Sequence, residues 1–339
     1  MRHILITGGA GFIGSHFVRH VRTNRPDWQV TVLDKLTYAG NPANLAEHEG
    51  KPGYHFLRGD ICREADVQVA LAPAVDLVAN FAADTHVDRS ITSPRAFLDT
   101  DILGTFVLLT AAREHGVKRF LHISTDEVYG SIASGSASEQ SPLNPTNPYS
   151  ASKASGDLIA LSFYKTYSFP VVITRSSNNY GSHQYPEKFL PLFITNALEG
   201  QPLPLYGSGE QVRDWLHADD NCAAILLALE KGVPGDIYNI GGRQERRNLE
   251  MAKRVIELTG ADPSLLRFVT DRPAHDFRYS VDSSKITALG WQPQIPLEQG
   301  LADTVRWYRE NSGWWQPLKS GEFKEYYRQH YAARLKGEA

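Results

Sequence analysis

The stretch Ile4-Leu5-Ile6-Thr7-Gly8-Gly9-Ala10-Gly11-Phe12-Ile13-Gly14-Ser15-His16 decides the fold. Its apolar start reads as a short buried strand, and Ser15-His16-Phe17-Val18 begins a helical pattern. Gly9, Gly11 and Gly14 spell G-x-G-x-x-G between strand and helix, and Gly8 adds the wider G-x-x-G-x-x-G spacing. The glycines let the chain turn tightly and let a pyrophosphate approach the backbone with no Cβ in the way. The helix N-terminus then offers free N–H groups and a partial positive charge to the anion.

A glycine turn alone is a weak signal, so the acidic partner matters. Gln29-Val30-Thr31-Val32-Leu33-Asp34 reads as a second strand ending in a carboxylate, 20 residues after Gly14. That is where a ribose-binding acid is expected. A carboxylate there accepts from the ribose hydroxyls and repels a 2′-phosphate, so NAD is expected rather than NADP. Lys35, next door, weakens that exclusion. The plain alternative is a glycine turn without a ligand and a surface Asp.

Strands and helices alternate through the first half, which argues for a parallel sheet covered on both faces. Tyr54–Leu57, Val75–Phe81, Lys118–Ser124 and Pro170–Thr174 read as further strands. Pro94 to Gly116 reads as one long helix carrying Leu98, Ile102, Phe106 and Leu109 as a stripe. Asn147-Pro148 opens another helix, with a cap residue and proline in the first turn, that runs to about Tyr167. Beyond Asn178, prolines and aromatics increase and the alternation becomes irregular. The expected architecture is α/β: a Rossmann-like doubly wound parallel sheet in residues 1–180, and a smaller mixed α/β substrate domain in 181–339 with some segments returning to the first. The last residues, 335–339, are expected to fray.

Composition narrows the function. In 339 residues the apolar fraction is 42% and the net charge −3, which gives no support for nucleic acid or an anionic membrane as partner. The two cysteines, Cys62 and Cys222, are too few for a disulfide framework. The 12 histidines show no metal-ligand spacing, so no metal site is predicted. No leader and no apolar run of membrane-spanning length is expected, which points to a soluble, cytoplasmic protein.

Tyr149 and Lys153 have the spacing Y-x-x-x-K, which puts both on one helix face. A lysine ammonium beside a phenol favours the phenolate, and such a tyrosine can take a proton from a sugar hydroxyl. Ser124-Thr125-Asp126-Glu127 falls at the carboxyl end of the fifth strand. Thr125 can hydrogen-bond the reacting hydroxyl. Asp126 and Glu127 could be driven to different pKa values, one donating a proton and one accepting it. From spacing alone the blander reading is favoured: Asp126 caps a turn and Glu127 is solvated.

The chain resembles the extended short-chain dehydrogenase/reductases and, among them, the dTDP-glucose 4,6-dehydratase family. The resemblance covers nearly the whole length. It is carried by TGGAGFIGSH (7–16), LDKLTYAGN (33–41), HVDRSI (86–91), STDEVYGS (124–131), PYSASKA (148–154) and SNNYG (177–181). PEKFLPLFITNALEG (186–200), YGSGEQVRDWLH (206–217), YNIGG (238–242) and DRPAHDFRYSVDSSKI (271–286) complete it. The Thr-Asp-Glu triplet is the discriminating feature, because related epimerases generally lack the acidic pair.

The resemblance implies that Tyr149 takes the proton of the glucose 4-hydroxyl while hydride leaves C4 for tightly bound NAD. Glu127 then removes the C5 proton, Asp126 protonates the departing 6-hydroxyl so that water is lost, hydride returns to C6, and C5 is reprotonated. Implied cofactor contacts are Gly8, Gly11, Phe12, Ile13, Gly14, Asp34, Lys35, Thr37, Asp60, Ile61, Ala82, Thr100, Tyr149, Lys153 and Asn178. Implied substrate contacts are His86, Thr125, Asp126, Glu127, Asn178, Glu187, Lys188, Tyr206, Arg213, Asn248, Arg272, His275 and Tyr279. Arg213 and Arg272 suit a diphosphate. The simpler roles are an Arg213–Asp214 ion pair, a structural His86, and Trp314-Trp315 as core anchors. A homodimer through a four-helix bundle is also implied, from the helices Pro94–Gly116 and Tyr149–Tyr167.

The sequence departs from the family at Ala82-Ala83-Asp84-Thr85, where Ala-Glu-Ser is usual, and at Ser176-Ser177, where Cys-Ser is common. Three other readings compete. A nucleotide-sugar 4-epimerase shares the glycine turn and Y-x-x-x-K but does not need Asp126 or Glu127. A UDP-glucose 4,6-dehydratase differs only in base recognition. A catalytically dead NAD sensor would not need an intact Tyr149 and Lys153.

Overall fold

The computed structural model describes residues 2–335; most of the tail expected to fray, 336–339, lies outside them. The first six strands are β1 (His3–Thr7), β2 (Gln29–Asp34), β3 (Tyr54–Arg58), β4 (Leu77–Asn80), β5 (Arg119–Thr125) and β6 (Val171–Ser176). The chain then leaves this layer through β7 (Asn178–Tyr180), β8 (Leu203–Tyr206) and β9 (Val212–His217). It returns with the helix Ala218–Lys231 and β10 (Ile237–Ile240), then leaves again through β11 (Glu245–Arg247) and β12 (Leu266–Val269).

Among the described residues a seven-stranded sheet has the order β10-β6-β5-β4-β1-β2-β3, and every pairing in it is parallel. β1 lies between β4 and β2, so the strand order reverses there and a crevice opens above the carboxyl ends. Both faces are covered. Ile4 and Ile6 pack with Phe17 and Ile225, from helices on one face. Leu5 packs with Leu108, Ala112 and Ala160 on the other. Strands buried on both faces account for the unbroken apolar runs in the sequence.

The smaller layer joins a β11-β9-β7 sheet of mixed direction to a parallel β12-β8 pair. The helices Phe189–Leu198, Asn248–Thr259, Leu297–Glu310 and Gly321–Leu335 build a second core over them, around Phe193, Val255, Tyr308 and Trp315. Trp315 is buried there as an anchor. Trp314 sits at its border and donates to Asn44 Oδ1 at 2.9 Å.

The single helix expected from Pro94 to Gly116 is instead three joined pieces: Arg95–Phe97, a π-helical stretch Leu98–Gly104, and Thr105–Glu114. Only part of its stripe is core. Leu109 is fully buried, whereas Leu98 and Phe106 are about half exposed. The wider winding turns Asp101 inward, where its Oδ2 lies 2.6 Å from Ser152 Oγ. The helix Pro148–Tyr167 begins as expected: Asn147 caps it through a reciprocal capping box with Ser150.

Candidate active site

The glycine turn shapes one end of the crevice. A Cβ at Gly14 would lie 2.2 Å from the Gly8 carbonyl oxygen, and Gly8 itself holds φ +66°. The helix Phe12–Asn24 therefore starts tight against β1, and no side chain caps it among the described residues. Its first N–H groups face the cleft, ready for an anion. Asp34 is nearly buried at the end of β2; it accepts from the N–H groups of Ala10 (2.9 Å) and Leu36 (2.8 Å). Burial pushes its carboxyl up, against those two bonds. Lys35 pairs with Asp60 at 2.7 Å, so its charge is not free to welcome a 2′-phosphate.

The middle of the cleft carries the reactive side chains. Thr125 ends β5 and accepts from the Glu127 N–H at 3.2 Å, so the hydroxyl of Thr125, not the carboxylate of Asp126, caps the turn Asp126–Tyr129. Asp126 is buried, and its Oδ2 meets no hydrogen-bond partner among the described residues. Burial, with the charges of Glu127 and Asp214, pushes the Asp126 carboxyl well above the usual range, although Arg213 opposes this. Glu127 is partly exposed and accepts from Tyr279 Oη at 3.3 Å. The two neighbours thus occupy the unequal surroundings that an acid–base pair requires.

Tyr149 and Lys153 project from the helix Pro148–Tyr167 into the same region, and both are buried. The expectation of a depressed Tyr149 pKa is reversed in the protein alone. Burial, then the charges of Glu127 and Asp101, push the phenol well above its ordinary value. Lys153 is committed elsewhere: its Nζ donates to the Ile123 carbonyl at 2.6 Å.

The remaining sequence-predicted residues line this same cleft, which has a volume of about 420 Å³. Gly11, Ile13, Thr37, Ile61, Ala82 and Thr100 line it, as do His86, Asn178, Asn248, Arg272, His275 and Tyr279. Several of them already have partners. Both Glu187 oxygens are occupied, by Tyr38 Oη (2.7 Å) and Arg89 Nε (3.0 Å). Lys188 donates to the Thr85 carbonyl, and burial lowers its pKa. Tyr206 donates to Asp88 at 2.8 Å. His86 caps the helix Val87–Thr92 through Nδ1, the structural role.

Arg213 does not pair with Asp214. It donates to the carbonyls of Val212, Phe277 and Asp276 and lies 4.3 Å over the Tyr279 ring. By contrast, buried Arg272 Nη1 and Asn178 Oδ1 have no partner among the described residues and remain available to a ligand. His275 holds Asp271 at 2.6 Å, and burial with the charges of Arg272 and Arg213 lowers its pKa to about 4.

Other residues of the cleft went unrecognised in the sequence. Asp84 accepts from Thr100 Oγ1 at 2.9 Å, and its place in the Ala82–Thr85 departure was the available hint. Asp88 gathers Tyr206, His330 (3.2 Å) and Arg272 (3.6 Å). Tyr331 reaches the cleft from the last helix, and no local pattern marks it.

A family model described as GDP-mannose 4,6 dehydratase matches residues 5–304. The chain belongs to that family. Among members of this dehydratase family it is 52% identical to the dTDP-glucose 4,6-dehydratase of Streptomyces niveus, over 94% of this chain and 96% of that protein. It is 44% identical to the Escherichia coli dTDP-glucose 4,6-dehydratase, over 94% and 97% of the two chains. The crystal structure of DesIV, a dTDP-glucose 4,6-dehydratase from Streptomyces venezuelae solved with NAD bound, superposes with a TM-score of 0.92. Its identity is 52%, over 94% of this chain and 100% of that one. A UDP-glucose 4-epimerase from Thermotoga maritima also matches, at 31% identity over 91% and 99% of the chains, with a TM-score of 0.85.

Proposed function

We propose that this chain is an NAD-dependent hydro-lyase that converts dTDP-glucose to dTDP-4-keto-6-deoxyglucose and water. The observation that carries the reading is the unequal carboxyl pair, Asp126 and Glu127, facing Tyr149 and Lys153 across one cleft. An epimerase has no use for such a pair.

The residues present fit NAD. The glycine turn leaves backbone where side chains would stand, and the Asp34 carboxylate ends β2 with Lys35 neutralised by Asp60. When bound, NAD supplies a hydride acceptor that can give the hydride back, so it is regenerated in each turnover. Gly8, Gly11, Phe12, Ile13 and Gly14 would hold its pyrophosphate. Asp34, with Thr37, Asp60 and Ile61, would hold its adenosine end, and Ala82, Thr100 and Asn178 its nicotinamide end.

The chain's own work is proton transfer and positioning. Tyr149, as phenolate, takes the proton of the substrate 4-hydroxyl as C4 is oxidised, with Thr125 orienting that hydroxyl. The 4-ketone acidifies the C5 proton, which Glu127 removes and gives back to C5 once C6 is reduced. Asp126, held protonated by burial, gives its proton to the departing 6-hydroxyl. Arg272, Arg213, Asn248 and His275 face the nucleotide diphosphate. On this reading residues 1–180 mainly hold the cofactor and 181–339 mainly the substrate.

The assembly we infer is a homodimer through a four-helix bundle. It is supported by exposed apolar side chains on two adjacent helices: Leu98, Leu103 and Phe106 on one run, and Leu158, Tyr164 and Tyr167 on Pro148–Tyr167. A cytoplasmic site of action fits the thiols of Cys62 and Cys222, both free among the described residues. No described helix is long and apolar enough to cross a membrane.

The test is incubation of purified protein with dTDP-glucose and no added NAD, following product mass and the alkali-induced absorbance of a 4-keto sugar. Loss of one water without net reduced nicotinamide is the expected result. Formation of dTDP-galactose instead would make the chain an epimerase and return Asp126 and Glu127 to structural roles.

A further inference from the structure

Behind Tyr149 and Lys153 stands a third ionisable group that the mechanism above does not use. Asp101 is 1% exposed and comes from the π-helical stretch Leu98–Gly104. Its Oδ2 lies 2.6 Å from Ser152 Oγ, and that same Oγ lies 2.8 Å from the Tyr149 carbonyl oxygen. A serine hydroxyl has one proton and cannot give it to both. If the Asp101 carboxyl carries a proton, both contacts are satisfied: Asp101 donates to Ser152, and Ser152 donates to the Tyr149 carbonyl. Asp101 Oδ1 completes no hydrogen bond among the described residues. A carboxylate so placed would be buried and poorly solvated, whereas a neutral carboxylic acid costs far less there.

We propose that Asp101 is a positioning residue of the oxidation step: the proton on its carboxyl keeps a negative charge away from Tyr149, and its ionisation opposes conversion of Tyr149 to the base. The proposal deepens the dehydratase reading and rests on it. The charged groups facing Asp101 are Lys153, from the helix Pro148–Tyr167, and Asp84, from the segment after β4. Burial outweighs Lys153, the Ser152 hydroxyl and the Asp84 backbone N–H, and pushes the Asp101 carboxyl up to about 7, so it ionises within the range in which the enzyme can be assayed. Its charge is in turn among those that raise Tyr149. The two titrations are therefore coupled, and the rising limb of the activity profile belongs to both.

Asp101→Asn fixes the site in its neutral form at similar size. Its rising limb of kcat against pH should move down by about half a unit or more, as expected when a like charge is removed from beside an ionising group. A second readout does not need turnover. A carboxyl whose folded pKa is raised loses the folded state stability as pH climbs from the unfolded value to the folded one. The melting temperature of the natural protein, relative to Asp101→Asn, should therefore fall between about pH 4 and about pH 7 and level off above. If Asp101→Asn does not fold, Asp101→Leu serves: it is close in size and equally uncharged, and it moves the limb in the same direction. An unmoved pH profile with a melting difference independent of pH overturns the proposal. If the natural protein fails to turn over dTDP-glucose, the dehydratase reading falls, while the melting comparison still decides whether Asp101 holds its proton.

Discussion

Tyr149 and Lys153 stand one turn apart on the helix Pro148–Tyr167 and meet β5 differently: Lys153 donates to the Ile123 carbonyl at 2.6 Å, whereas the Tyr149 phenol meets only the Thr125 side chain there. The two therefore fail differently when removed. Tyr149→Phe should lower turnover by about 10²–10⁴, the usual worth of a positioned base, while the melting temperature stays within a few degrees. Lys153→Met should lose activity comparably and also leave a buried carbonyl without its donor, at a cost of roughly 1–3 kcal/mol. Turnover and thermal unfolding of the two variants, measured side by side, check this. Equal stability losses would show that the Ile123 contact carries no weight.

Asp126 and Glu127 should separate the elimination into its proton transfers. Glu127→Gln removes the base for C5, so deuterium exchange at C5 in heavy water should fall by about 10²–10⁴. Asp126→Asn keeps that base but removes the acid for the leaving hydroxyl. Exchange at C5 should persist while water loss slows by a similar factor. Mass spectrometry of recovered substrate and product reads both, and a reversal of the two patterns would exchange the roles assigned to the pair.

Arg213 and Arg272 both line the cleft and are both proposed to meet the diphosphate, but of the two only Arg272 keeps a buried nitrogen without a partner among the described residues. Arg213 gives its terminal nitrogens to three backbone carbonyls. Arg272→Ala should raise KM about tenfold or more with little change in melting temperature, because a charged hydrogen bond to substrate contributes about 1.5–3 kcal/mol. Arg213→Ala should lower the melting temperature by several degrees as well, since it strands those carbonyls. Steady-state kinetics with thermal unfolding distinguish the two. A stable Arg213→Ala with a purely raised KM would contradict the structural part of its role.

What could be read in the sequence was local. The Gly8–Gly14 turn, the strand ending at Asp34 and the Asn147-Pro148 helix start each declare themselves within a few residues, through backbone sterics and capping. What could not be read depends on distant partners. The π-helical winding at Leu98–Gly104 accompanies a contact between Asp101 and Ser152, 51 residues apart, so helical periodicity alone makes Leu98 and Phe106 look like core. The family motifs placed Glu187 in the site, but not the fact that Tyr38 and Arg89 occupy both its oxygens. Asp88 and Tyr331 meet at Tyr206 only because the last helix folds back onto the cleft. The reversed expectation for Tyr149 has the same origin: the lysine at i+4 is visible in sequence, whereas burial and the acids around the phenol are not.

The exposed apolar faces of the two helix runs give a test of the proposed dimer. Leu158 is 58% exposed on the helix Pro148–Tyr167, whose Tyr149 and Lys153 are buried. Leu158→Glu places a charge on that face at small cost to a monomer, because the position is open to solvent. In sedimentation at micromolar concentration the natural protein should run as a dimer and Leu158→Glu as a monomer with a nearly unchanged circular dichroism spectrum. A natural protein that runs as a monomer would leave these side chains without the partner proposed for them.

His183 supplies a pH test of the second core. It is held half-buried against Trp307, with ring centroids 4.3 Å apart, and it touches Trp314. Burial, with the charges of Arg19 and His16, lowers its pKa to about 3, from an unfolded value near 6.5. The sign follows from proton counting. Between those two values the unfolded chain binds a proton at this residue and the folded protein does not, so acid draws the equilibrium toward unfolding. His183→Asn removes the titration and suits the positive φ of 61° at this position, which Asn tolerates better than most residues. As pH falls from about 6.5 toward about 3, the natural protein should lose melting temperature faster than His183→Asn, with the curves parallel above about pH 7. A gap between the two curves that stays constant across this range would mean that His183 protonates in place, and that the Trp307–Trp314 cage does not exclude the charge.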